Sequence, residues 1–247
     1  MSVHPTAIVE EGVRLGAGCQ IHAYAIVKRG AVLGDGVEVH AFAVVGGDSQ
    51  DLKFDPKVAS GVRIGARTKI REHVTIHRAT HAGGFTEVGE DCLLMGGCHV
   101  AHDCVIGRQV VIANAVLLAG HVHVGDHAIL GGGAGFHQFI RIGEGAIVSG
   151  GARFSLDIPP FVVAAERDEI AGPNLIGLKR RGVTAKTMTE LKTAFREVYF
   201  QPGSVRKHAA AALATGKFRS VEARQFLEFF AGGKRGVARA RRGQAEE

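Results

Sequence analysis

The sequence predicts a mainly β protein, a parallel β-helix followed by a small C-terminal α-helical domain. Three observations predict it. An aliphatic side chain returns at every sixth position from Val3 through Val9, Leu15, Ile21, Val27, Leu33, Val39 and Val45, and again from Val88 to Phe154. Four residues after each beat stands a small or modest side chain, as at Ala7, Cys19, Ala25, Ala31 and Ala43. Beyond Pro159-Pro160 the beat stops and an amphipathic helical spacing replaces it. A period of six fits neither a helix nor simple strand alternation. It is the repeat of a solenoid in which each hexad supplies one short wall of a coil.

At three hexads per coil the repeats make about eight coils, and at about 4.8 Å per coil the prism stands about 40 Å tall. The β-helix is expected over 1–160 with two excursions. The first, about 47–57, is polar, and the beat resumes beyond it at Val58, Ile64, Ile70 and Ile76, one residue out of phase. The second, about 79–87, carries His81 and Gly83-Gly84. Loops projecting from a rigid solenoid are where binding residues gather. The 35 glycines are read as corner residues, because glycine reaches positive φ without a steric cost. Residues 161–182 read as an irregular connecting segment. The helical domain spans 183–232. Thr184, Ser204 and Ser220 are suited to cap three helices, and Gly232-Gly233 ends the last. The first of these helices places Met188, Leu191, Phe195 and Val198 on one face. This domain is expected to cover the open end of the β-helix or to pack on a neighbour. The basic tail, 233–247, with Lys234, Arg235, Arg239, Arg241 and Arg242, reads as a solvated, frayed end.

Net charge is +6, which favours acidic partners: a nucleic acid, an acidic carrier protein or a phosphate-bearing small molecule. No apolar run is long enough to span a bilayer. The N-terminus enters the repeat at once, so neither a transmembrane segment nor a signal peptide is expected, and the cytoplasm is the default compartment. Cys19, Cys92, Cys98 and Cys104 each take the small-residue slot of a hexad, where a thiol packs as a small hydrophobe. Successive hexads lie on different walls, so these cysteines are not expected to share a metal or form disulfides. The flat walls of such a solenoid suit a cyclic oligomer.

Chemistry concentrates in two motifs, Gly97-Cys98-His99-Val100-Ala101-His102-Asp103-Cys104 and Leu118-Ala119-Gly120-His121-Val122. With eighteen residues per coil, Gly120 stacks on His102 and His121 on Asp103, about 4.8 Å apart. A histidine with a carboxylate to orient it is the minimal general base. A glycine N–H beside it is the minimal oxyanion donor. Two other readings stay open at this point. The histidines are polar corner residues of a solvated coil, which is the preferred reading for His4, His22, His40 and His127. Or His99, His102 and His121 hold zinc. No nucleophile elbow, Walker-type phosphate loop or serine with a base partner is visible. Acyl transfer, if it occurs here, is therefore expected to proceed by direct attack rather than through a covalent enzyme intermediate.

Eight motifs carry a family resemblance. They are Val3-His4-Pro5-Thr6-Ala7-Ile8-Val9, Gln50-Asp51-Leu52-Lys53, Ile70-Arg71-Glu72, Val74-Thr75-Ile76-His77-Arg78, Ala101-His102-Asp103-Cys104, Leu118-Ala119-Gly120-His121-Val122, His137-Gln138-Phe139 and Gly177-Leu178-Lys179-Arg180-Arg181-Gly182. Together and in order, the chain resembles the UDP-N-acetylglucosamine acyltransferases that begin lipid A biosynthesis. The resemblance implies a left-handed β-helix and a homotrimer with active sites between subunits. It implies transfer of an (R)-3-hydroxyacyl chain from acyl carrier protein to the glucosamine 3-position of UDP-N-acetylglucosamine. It implies no bound cofactor or metal and no nucleic-acid partner; the acyl donor rides on the carrier's phosphopantetheine. On the resemblance, His102 is the general base, Asp103 orients it and the Gly120 N–H is the oxyanion donor. His77, His99, His121 and His137 line the sugar and diphosphate site. Asp51 and Lys53 belong to a loop that reaches the sugar from a neighbour. Asn174, Arg180 and Arg181 contact the nucleotide and phosphates, and Gln138 adds a nucleotide-side contact. Acyl length depends on how far the groove between coils extends, and Gly150 and its neighbours are candidates for its floor.

Three departures stand out. The chain is about one coil shorter near its N-terminus than the family form. Ile176 replaces a frequent glutamate, and Gly96-Gly97-Cys98 replaces bulkier residues. The alternatives are a same-fold acyltransferase using a 3-amino sugar nucleotide or another nucleotide sugar, a zinc-dependent hydratase, and a non-catalytic β-helix scaffold.

Overall fold

The computed structural model describes residues 1–241. Three parallel walls wind around one core. The first is an eleven-stranded sheet that starts at Ser2–Val3. The second has eight strands, from Ile8–Val9 to Arg153–Phe154. The third has seven, from Arg14–Leu15 to Arg141–Ile142. Through the coils, consecutive strands fall on consecutive walls, so each strand up to Gly135–Phe136 pairs with the one three elements later. Most strands are two residues long because a hexad spends its other four residues turning the corner.

The beat residues form the core. Ile21, Val27, Val45, Ile76, Leu94, Leu118 and Leu130 are almost wholly buried, and each such side chain contributes roughly 1.5–3 kcal/mol. The small-residue slots fill the corners from inside. Cys19, Cys92, Cys98 and Cys104 are free and buried. The Sγ–H groups of Cys19 and Cys104 donate to the Gly34 and Ala119 carbonyls, at 3.2 Å each. Glycine takes many corners as expected, with Gly12, Gly18, Gly36, Gly97, Gly133 and Gly151 at positive φ, but it does not take them all. Tyr24, Phe42, His73, Asp103, His121 and Phe139 all adopt φ near +60°, a region that aspartate and histidine enter more readily than phenylalanine.

Both excursions differ from their expected bounds. The strand Val44–Gly47 ends the coil, and regular structure returns only at Gly61–Ile64, so Val58 belongs to the loop and not to the beat. In the second excursion Phe85–Val88 is a strand, paired with Gly61–Ile64 in full register, so the true departure is narrower than 79–87.

The segment 161–182 is not irregular. Val162–Ala165 extends the first wall beyond the end of the beat, pairing in parallel with Ile147–Val148. It then turns back antiparallel into Glu169–Pro173. A short helix, α1 (Leu175–Arg180), follows. The three expected helices are α2 (Ala185–Tyr199), α3 (Val205–Ala214) and α4 (Val221–Glu228). The Thr184 and Ser220 side chains cap their helices, whereas Ser204 sits at the cap without a side-chain hydrogen bond. Phe195, Tyr199, Phe226 and Phe230 pack together. The Arg141 guanidinium lies 4.0 Å over Phe229 and pairs with the buried Asp157 at 2.9 Å, tying the helices to the last coils.

The basic tail is not a frayed end as far as it is described. Arg239–Ala240 adds a parallel strand to Glu169–Pro173. Ala238 is fully buried, and its carbonyl accepts from the Tyr199 hydroxyl at 3.0 Å. The remainder of the expected tail, including Arg242, lies outside the described residues.

Candidate active site

The register of the second wall builds the site. His99 pairs with Leu117, Leu117 with Gly135 and Gly135 with Arg153. That register carries around the next corner, where the His121 N–H donates to the His102 carbonyl at 3.0 Å. Gly120 therefore lies directly against His102, as the eighteen-residue spacing requires. A Cβ placed on Gly120 would stand 2.4 Å from His102 Cε1.

Asp103 is buried, and several donors converge on it. Its carboxylate accepts the Thr80 hydroxyl at 2.7 Å and the Thr80 N–H at 3.1 Å. Its Oδ2 lies 2.8 Å from His102 Nδ1. Burial pushes the Asp103 carboxyl up, but these hydrogen bonds from Thr80 and His102 outweigh it and hold the group below its usual range. An ionised carboxylate can only accept. His102 must therefore carry its proton on Nδ1, which leaves the Nε2 lone pair free in the neutral ring. The Asp103 N–H donates to Thr86 Oγ1 at 2.8 Å, which fixes the corner from below.

The other histidines divide. His99 Nδ1 sits 2.7 Å from Thr75 Oγ1, and its ring meets His77 edge-on. His77 is buried behind it, and burial, then the proximity of the titratable rings of His99 and His102, hold it down to about 4. His77 thus backs the site instead of lining it. His121 stacks on Phe139 with centroids 4.5 Å apart and meets His102 edge-on at 5.1 Å. Among the described residues, the groups close enough to share a cation are His102, Asp103 and His121, not the three histidines. Asp103 Oδ2 is 3.7 Å from His121 Nε2 and is already engaged by Thr80 and His102 Nδ1, the arrangement of an orienting carboxylate.

A groove of about 1230 Å³ runs along the second wall from Asp51 and Lys53 past His99, His102 and Gly120 to His137, Gln138 and Arg153. Within one chain the loop bearing Asp51 and Lys53 borders that chain's own groove. Asp51 Oδ1 caps the Lys53 N–H at 2.8 Å and shapes the loop tip.

Asn174, Arg180 and Arg181 are elsewhere. Asn174 is buried and caps α1, accepting from the Gly177 N–H at 2.9 Å and donating to the Gly145 carbonyl at 2.9 Å. Arg181 pairs with Glu144. Both contacts fall on the corner between the third and first walls, whereas His102 occupies the corner between the second and third. One chain does not bring these residues to the base.

Thr80 and Thr86 were missed in the sequence. Thr80 lies in the six-residue insertion between Thr75–His77 and Phe85–Val88, outside the eighteen-residue arithmetic; Thr86 is on that register, one coil below Asp103 and Cys104, and the spacing could have found it. Arg153 and Arg167 also line the groove, and no motif marked them.

The family models divide the chain as the architecture does. "Bacterial transferase hexapeptide (six repeats)" matches residues 12–47 and 85–120, and "Udp N-acetylglucosamine O-acyltransferase; Domain 2" matches 157–238. Fold and site together define the class, an acyltransferase built on hexapeptide repeats. A UDP-N-acetylglucosamine acyltransferase from Campylobacter jejuni is 34% identical over 97% of this chain and 100% of its own, with a TM-score of 0.86. LpxA, a UDP-N-acetylglucosamine acyltransferase from Bacteroides fragilis, is 32% identical over 96% and 100%, with a TM-score of 0.87. LpxA from Acinetobacter baumannii is 30% identical over 96% and 97%, with a TM-score of 0.86. The chain belongs to the UDP-N-acetylglucosamine acyltransferase family. No helix among the described residues is long and apolar enough to cross a membrane.

Proposed function

We propose that this chain transfers an (R)-3-hydroxyacyl group from acyl carrier protein to the glucosamine 3-hydroxyl of UDP-N-acetylglucosamine, opening lipid A biosynthesis in the cytoplasm. The observation that carries the mechanism is the 2.8 Å contact between His102 Nδ1 and an ionised Asp103, which leaves Nε2 free beside the groove. Nε2 takes the proton of the acceptor hydroxyl as its oxygen attacks the thioester carbonyl. The Gly120 N–H has no acceptor among the described residues, and it supports the developing oxyanion. The C–S bond then breaks, and His102 returns the proton to the departing thiolate. No enzyme nucleophile and no bound cofactor enters these steps.

Asn174, Arg180 and Arg181 act from a second copy of the chain. Their corner is separate from the His102 corner, and a cyclic trimer would bring one against the other. Arg180 is exposed at the C-terminal end of α1 and carries the nucleotide contact. Asn174 supports it by holding the helix.

Mass spectrometry of a reaction with UDP-N-acetylglucosamine and a series of 3-hydroxyacyl carrier donors tests the proposal. A 3-O-acyl product supports it. Faster turnover of the 3-amino analogue would favour amide formation, and absence of both products would overturn acyl transfer to this sugar. Sedimentation of the purified chain as a monomer under assay conditions would overturn the shared site.

A further inference from the structure

The carboxylate that orients His102 has a second imidazole at its other oxygen. His81 Nδ1 lies 3.2 Å from Asp103 Oδ1, whereas His102 Nδ1 lies 2.8 Å from Oδ2. His102 lines the groove, and neither Asp103 nor His81 does. His81 therefore meets Asp103 from the side away from the groove, with 70% of its side chain exposed against 5% for Asp103. His121 Nε2, from the next coil, is a third imidazole, 3.7 Å from Oδ2. Among the described residues no lysine or arginine pairs with Asp103, so its counter-charge comes from these rings. His99 and His77, on the second wall, are the titratable groups that couple to His102 from behind. The Cys104 thiol beside Asp103 is pushed up to about 12 by burial and stays neutral.

The turn that presents His81 fixes its ring. It lies in the insertion between Thr75–His77 and Phe85–Val88. The Gly84 N–H donates to the His81 carbonyl at 3.0 Å and closes the turn. The Gly83 N–H donates to the Ala59 carbonyl at 2.8 Å and fastens the turn to the first excursion. Gly83 has φ +71°, which glycine reaches without steric cost. The imidazole rests on Gly84, where a Cβ would stand 2.5 Å from both Cε1 and Nε2. The preceding residue, Thr80, gives both its N–H and its hydroxyl to Asp103. An exposed histidine on a loop ordinarily turns freely. Here the bare glycine on one side and Thr80 on the other set the ring beside the carboxylate.

We propose that His81 is a positioning residue of the transfer reaction: it shares Asp103 with His102 and so keeps the base unprotonated as the medium becomes more acidic. This rests on the reading of His102 as general base above. One carboxylate stabilises a proton on either ring, so the two protonations compete and titrate as a coupled pair. A charge on His81 stays hydrated, whereas the same charge on the buried His102 loses its hydration. With His81 charged, the pull of Asp103 on a proton at His102 Nε2 is partly cancelled. The ring then keeps the lone pair that takes the acceptor's proton. Without His81 the whole field of the carboxylate acts on His102. Because His81 is mostly exposed, water screens the competition, and the displacement it causes is about half a pH unit.

The pH profiles of kcat/KM for full-length H81F, G84A, H81F/G84A and H81K test the role. Phenylalanine keeps a ring on Gly84 without the nitrogens. In H81F the acid limb should move up by about half a pH unit, so that on the limb the variant works about threefold slower than the parent. The loss on the plateau should be smaller, and both KM values should stay within about twofold. Gly84 does not have positive φ, so G84A loads only the His81 ring and pushes it off Asp103. It should reproduce the shift, and the double variant should add nothing to it. H81K keeps a cation beside Asp103 and should hold the limb at or below the parent's pH. An unmoved limb in H81F would overturn the proposal. An equal loss at every pH in H81F and H81K alike would make His81 a structural contact of the turn, and would overturn it too. Failure of the parent to acylate UDP-N-acetylglucosamine is a separate result that bears on the function. The His102 ring titration, followed by NMR without substrates, should still move to higher pH in H81F, and an unmoved titration would overturn the coupling by itself.

Discussion

His102 lies so close against Gly120 that one methyl group on the glycine would stand 2.4 Å from the imidazole Cε1. Gly120 does not have positive φ, so its backbone accepts alanine and the conflict is with the ring alone. Gly120→Ala should therefore push His102 off Asp103. A displacement of about 1 Å costs roughly 10²-fold in rate. We expect kcat to fall by about that factor with the melting temperature unchanged. Parent-like kcat would show that the ring has room the geometry denies.

His102→Ala should lower kcat by roughly 10²–10⁴-fold, the usual contribution of a general base, with the oligomer intact by sedimentation. Activity within about threefold of the parent would remove His102 from that role. Asp103→Asn should cost less, because it disturbs the tautomer without deleting the base. Thr80→Val removes one of Asp103's donors and should cost less again.

Arg180 and Arg181 should separate. Arg180 is exposed and forms no ion pair among the described residues, whereas Arg181 is paired with Glu144. Arg180→Ala should raise the KM for the UDP-sugar about tenfold or more with a smaller effect on kcat, as expected for a contact made in both ground and transition states. Arg181→Ala should weaken nucleotide binding less. Unchanged KM values in the double variant would assign both to surface charge.

His77 makes stability depend on pH. Its folded value is held at about 4, below the ordinary 6.5, chiefly by burial. As pH falls from 6.5 towards 4, the unfolded chain takes up a proton that the folded chain refuses, so stability falls across that window and levels off below it. Urea midpoints should trace this slope, and His77→Gln should flatten it. An equal slope in the variant would place the titration elsewhere.

Zinc chemistry makes the opposite forecast from histidine–aspartate catalysis at the same corner. His102, Asp103 and His121 approach within 4.8 Å, close enough to bind a cation. We expect full activity in chelator and no stoichiometric metal in the purified protein. One zinc per chain with chelator-sensitive turnover would make these three residues ligands.

The coils were legible because a hexad is a local rule. Each beat residue from Val88 to Phe154 faces inward through its own place in the repeat, and Gly120 meets His102 wherever eighteen residues make a turn. The arithmetic failed at insertions. Val58 looked like a beat residue yet lies in the loop, and Thr80 could not be assigned to Asp103 because the extra residues after His77 carry no periodicity. Asn174 looked like a nucleotide contact by motif. The structure uses it as a buried helix cap.

The sequence alone determined the β-helix, the inward face of every regular hexad, the helices after Thr184 and the pairing of His102 and Asp103 with Gly120 and His121. All follow from spacing along the chain. Tertiary structure decided what spacing does not encode. It placed the Asp51–Lys53 loop at the border of its own chain's groove, Asn174 and Arg181 at a different corner from His102, and the tail strand beside Glu169–Pro173 with Arg235 on His137. These are contacts between segments far apart in the chain, fixed by burial and hydrogen-bond satisfaction where the repeat has ended or been interrupted. No period reaches across them.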